Sequence, residues 1–76
     1  MISAEPSASR VEQYAAEAAA AYFVEPSDVM GTGRTVAFVE ARRAVWRRLA
    51  DEGFSTSSIA RAVGRHHTTV RHALKS

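Results

Sequence analysis

The chain has 76 residues, no cysteine and a formal charge of +2. That length allows one small domain with a single core, and the missing thiols exclude disulfides and thiolate metal sites as its staples. The longest apolar run, AAAAYFV at 18–24, is far short of the roughly 20 residues that span a bilayer, and the start MISAEPSASR lacks the pattern of a secretory signal, so a cytoplasmic chain is expected.

Charge is unevenly spread. Residues 1–33 carry Arg10 against five carboxylates, a net of −4, whereas residues 34–76 carry nine basic side chains against three acidic ones, a net of +6, and all three histidines. A polyanion suits the second half, nucleic acid first and an anionic membrane surface second.

Hydrophobic periodicity predicts helices throughout and no strand. After a flexible stretch at 1–8, Ser9 and Glu12 form a capping-box pattern that starts a first helix over about 10–23. Val11, Tyr14, Ala18, Ala21 and Tyr22 are its expected inner face. EPSDVMG suggests a single turn with Pro26 near its start, Ser27 as a cap and Gly31 as its stop. GTGRT is a loop, because two glycines within three residues make continued helix expensive.

A long helix should begin near Thr35 or Val36 and end at Glu52, with Gly53 in the left-handed position. Phe38, Ala41, Val45 and Leu49, widened by Val39 and Trp46, form its core stripe, in which Trp46 is a packing residue rather than a platform for stacked bases. Arg43, Arg47 and Arg48 fall outside the stripe. Arg42 lies near its centre and needs a partner, for which a phosphate would serve.

FSTSSIARAVG restarts a helix with Ser55 or Thr56 as cap, buries Ile59, Ala62 and Val63, and stops at Gly64. After a very short turn RHHTTVRHALKS forms the last helix, with Val70, Ala73 and Leu74 inward and Thr68, Arg71, His72 and Lys75 outward. Two short helices so joined, over about 55–75, are the pattern of a helix-turn-helix, whose second helix enters the major groove N-terminus first. His66, His67 and Thr68 are then nearest the base edges, where imidazole meets purine N7 or O6 and a threonine methyl meets that of thymine.

These residues resemble a known family. IARAVGRHHTTVRHA is similar to the signature that closes the DNA-binding domain of the bacterial replication initiator DnaA, a Gly-Arg-Asp-His-Thr-Thr-Val core followed by His-Ala. AAYFVEPSDVMG is similar to that family's helix ending in Tyr-Phe and its Asp-Leu-Leu-Gly turn. GTGRTVAFVEARR follows its pattern of Gly, two residues, Arg, and later Ile-Val, one residue, Ala-Arg. The likeness covers roughly residues 15–75 in the family's order.

The resemblance implies an all-α bundle like DnaA domain IV and Trp repressor, with a helix-turn-helix that reads an asymmetric duplex site. Arg34 takes the place of a loop arginine that enters the minor groove, and Arg42 that of one touching backbone. Arg65 and Thr69 fall near phosphate, and His67 and Thr68 at base-reading positions. Arg43, Ser55, Thr56, Ser57, His66, Arg71, His72 and Lys75 complete the set expected to face DNA. His66 stands where the family has Asp, one of its paired glycines is missing before Arg65, and the turn before Ser55 is a residue short.

The expected partner is double-stranded DNA, bound by a monomer on the nucleoid, with no cofactor. His66, His67 and His72 lack the i, i+4 spacing of a helical zinc site, GTGRT lacks the Gly-Lys-Ser/Thr of a phosphate-cradling loop, and nothing suggests an enzyme. Two other readings stand beside this one. One is a regulator or mobile-element protein that binds a palindrome as a dimer; the other is a protein–protein module docking through its acidic first helix.

Overall fold

The computed structural model describes residues 4–75 as five helices: α1 Ala8–Tyr22, α2 Pro26–Met30, α3 Val36–Asp51, α4 Thr56–Val63 and α5 His67–Lys75. The all-α small bundle expected from periodicity is the observed architecture. Helix α3 is its axis, in contact with each of the other four, while α1 and α2 pack as one neighbouring pair and α4 and α5 as another. No helix among the described residues is long and apolar enough to cross a membrane.

Helix α1 starts two residues earlier than the Ser9–Glu12 pattern suggests. Ser7 is the cap, its Oγ accepting the Arg10 N–H at 3.2 Å. That register places Pro6 and Val11 at the N′ and N4 positions of a hydrophobic staple, and both are buried. Glu5 pairs with Arg61 at 3.2 Å, a contact that with the buried Pro6 joins this segment to the helices. Of the expected flexible stretch, residues 1–3 lie outside the described residues, as does Ser76. The inner face of α1 is Val11, Tyr14, Ala15, Ala18 and Ala19; Ala21 and Tyr22, expected there, are exposed. Its alanines let α1 lie close against α3.

Three helices end in a left-handed residue with an i to i−5 backbone bond. Val24 N–H reaches the Ala19 carbonyl, Phe54 N–H that of Leu49, and Arg65 N–H that of Ala60. Gly53 (φ 101°) and Gly64 (φ 69°) occupy two of these positions as expected, but Phe23 (φ 58°) holds the third with its side chain 94 % exposed. In α2 the cap is Glu25 rather than Ser27. The Glu25 N–H donates to Asp28 Oδ2 at 3.2 Å and Pro26 takes the first helical position, where its missing N–H costs nothing.

The core runs through Val29 of α2, Ala41, Val45, Trp46 and Leu49 of α3, Ile59 and Ala60 of α4 and Val70 of α5. Phe38, expected in the stripe, is half-buried beside Gly33, where a Cβ would meet its ring at 3.0 Å. Ala62 and Val63 are half-buried, and Ala60 and Ser58 take the inner positions in their place. Ser58 is completely buried and meets Ser55, whose Oγ accepts its N–H at 3.1 Å and donates to its Oγ at 2.8 Å.

Candidate nucleic-acid interface

Arg42 organises the site from beneath. Its place on the core stripe buries it to 6 % exposure, and desolvation there, with the nearby charge of Arg65, pushes its guanidinium below the usual arginine value. It is satisfied by backbone. Nε donates to the Val29 carbonyl at 2.9 Å, Nη2 to that of Asp28 at 2.8 Å and Nη1 to that of Gly33 at 3.0 Å. The partner that the sequence called for is supplied within the fold by three carbonyls, two from the last turn of α2, where carbonyls lack helical partners, and one from the loop that follows it.

Arg65 makes the matching tie from the α4–α5 turn. Its Nη1 donates to the Gly31 carbonyl at 3.0 Å, and its guanidinium lies 6.0 Å from the Trp46 ring centre. The loop at 31–35 is thus held on one side by α3 and on the other by Arg65 of the α4–α5 turn.

Between these ties lies an open groove of about 660 Å³. Val39, Trp46 and Ala73 supply its apolar surface, and Thr32, Arg34, Arg42, Arg43, Arg65, Thr69 and His72 its polar surface. No carboxylate of the described residues lines it. Among the described residues, exposed Arg34 makes no hydrogen bond or ion pair, Arg43 reaches only Glu40 at 3.9 Å, and the buried Arg43 Nε has no hydrogen-bond partner. Four guanidiniums around one concavity favour an anion there.

Ion pairs elsewhere in the fold explain why unpaired positive charge collects at this groove. Glu5 pairs with Arg61 and Glu52 with Arg10, at 3.2 and 3.3 Å. Glu17 takes Arg48 at 2.6 Å. The Arg48 and Gln13 hydrogen bonds hold the Glu17 carboxyl below its usual value. Arg48 also lies 3.7 Å over the Tyr14 ring, whose hydroxyl donates to Glu52. These carboxylates neutralise cations away from the groove, and none of them borders it.

Helix α5 presents two further surfaces. Thr68, Arg71 and Lys75 are exposed and lie outside the groove. His66 and His67 stack with ring centres 4.4 Å apart and border a shallower concavity of about 300 Å³ with Ser57, Ala60, Arg61 and Arg65. The Thr68 N–H donates to His66 Nδ1 at 3.2 Å, so the imidazole serves as the helix cap.

The expected site residues therefore separate. Arg34, Arg42, Arg43, Arg65, Thr69 and His72 come together, and Ser57, His66 and His67 form the second group. Ser55 is occupied as the α4 cap, and Thr56 is half-buried behind it. Thr32 was missed because a threonine between two glycines carries no signal of its own. Arg47, outside the core stripe, donates from Nη2 to the Leu74 carbonyl at 3.1 Å and satisfies the end of α5.

Comparison with protein-family models, curated proteins and solved structures finds no match to this chain.

Proposed function

We propose that this chain is a sequence-specific binder of double-stranded DNA, with α4 and α5 acting as a helix-turn-helix. Helix α5 enters the major groove with His66, His67 and Thr68 foremost, and the Arg34 loop enters the neighbouring minor groove. The carrying observation is the groove that joins Arg34 to Thr69 and His72 across Trp46 and that no carboxylate of the described residues lines. A phosphate strand crossing from one DNA groove to the next would lie over such a seat, with Arg43 and Arg65 beside it. The resemblance to the initiator's DNA-binding domain extends the reading to a replication origin, in initiation or its regulation, and to residence on the nucleoid.

Gel shifts with three duplexes test this: one carrying the initiator family's box, one a selected palindrome, one a scrambled sequence. Retention of the box by a monomer supports the proposal. Retention of the palindrome alone, by a dimer, favours a regulator or mobile-element protein. No salt-dependent binding to any duplex rejects DNA binding and leaves the protein–protein module.

A further inference from the structure

The capping bond on α5 fixes more than the start of a helix. An imidazole nitrogen that accepts a hydrogen bond must carry its lone pair, so His66 Nδ1 holds no proton while the Thr68 N–H is bonded to it. The neutral ring then carries its proton on Nε2. The Thr69 and Val70 N–H groups bond to the His66 carbonyl at 3.0 and 3.4 Å, which seats this residue at the cap from the backbone side as well. His67 stacks on one face of the ring, and His66 is exposed.

We infer that His66 is a specificity-determining donor whose Nε2–H selects a base presenting acceptors in the major groove, guanine above all. This rests on the DNA-binding reading and names one letter of the site. Guanine offers N7 and O6 side by side, whereas adenine pairs its N7 with an amino donor, thymine sets a methyl beside O4, and cytosine presents only an amino donor. The surroundings add to this choice. Arg65 borders the same concavity as His66 and is paired with no carboxylate among the described residues, whereas Arg61 is paired with Glu5, so it is Arg65 that favours the acceptor-rich edge of guanine over the amino edge of cytosine.

His66→Asp isolates the donor. Aspartate is an equally good helix cap, so α5 keeps its start, but its carboxylate only accepts and calls for the amino group of cytosine. The experiment is selection from a randomised duplex library by the wild type and by His66→Asp. At one position the wild type should enrich guanine over cytosine roughly two- to tenfold, the range of one net hydrogen bond, and His66→Asp should reverse that letter while leaving the others unchanged. If both proteins enrich the same bases at every position, the inference falls and DNA binding stands. If the wild type enriches no sequence, the sequence-specific reading falls and takes the inference with it. The tautomer is tested without DNA, by long-range proton–nitrogen correlation spectra of the neutral ring: a proton on Nε2 supports the inference and one on Nδ1 overturns it.

Discussion

Arg42 donates from Nε to the carbonyl of Val29, 13 residues earlier, at 2.9 Å. With the bonds to Asp28 and Gly33, that single side chain fixes α2 and the Arg34 loop to α3. Arg42→Ala should therefore lower stability by about 2–3 kcal/mol in urea denaturation, because hydrogen bonds from a charged donor are lost at a buried position. Arg42→Lys should recover little, since one ammonium cannot serve three carbonyls in the fork geometry of a guanidinium.

Phe23 adopts a left-handed conformation with its ring in solvent. Backbone strain is retained there without a packing gain, so Phe23→Gly should raise stability by roughly 0.5–1 kcal/mol, partly offset by the greater freedom of glycine in the unfolded chain. Thermal melting of the two proteins gives the sign directly.

At Gly64 the opposite substitution separates strain from crowding. A Cβ there would meet nothing within 4 Å, yet φ is +69°. Gly64→Ala should cost about 1–2 kcal/mol from the left-handed conformation alone, and Gly64→Asn less, since asparagine tolerates that region. Equal stability of the three proteins would remove the strain argument.

Two ionisations on the α1–α3 face set opposite pH limits. The hydrogen bond to Glu52 is the main cause that raises the Tyr14 phenol above its ordinary value, so its contribution is present below the unfolded value near 10 and lost as pH rises through the folded one. The Glu17 carboxyl is lowered, so its contribution is present above the unfolded value near 4.3 and lost as pH falls through the folded one. Tyr14→Phe should flatten the alkaline limb of a stability–pH profile and Glu17→Gln the acid limb.

The sequence made the helix stops legible because a positive φ demands glycine at Gly53 and Gly64. The end of α1 was legible too, since the expected helix runs to Phe23, but the left-handed conformation of that residue was not, because it is set by the packing of α1 against α2 and by the Val24 bond to Ala19. The start of α1 was misplaced because two serines compete for the cap, and the buried Pro6 decides between them. Arg42 was visible as a charge out of place. Its partners were not, because backbone carbonyls at a helix end leave no trace in side-chain pattern. Arg34, Arg65, Thr69 and His72 could each be named from motif and spacing, but their meeting in one groove depends on the two loop ties made by Arg42 and Arg65.

The most direct test of the DNA-binding account is fluorescence anisotropy with the duplex selected by the wild type and its scrambled counterpart, across a salt series, for the wild type, Arg34→Ala and Lys75→Ala. The wild type should favour the selected duplex at least tenfold, with affinity falling steeply in salt as several phosphates are neutralised, at a log–log slope of about −0.9 for each. Arg34→Ala should lose much of that preference, while Lys75→Ala should weaken both duplexes about alike. Equal affinity for the two duplexes, or binding indifferent to both salt and Arg34, would contradict the account.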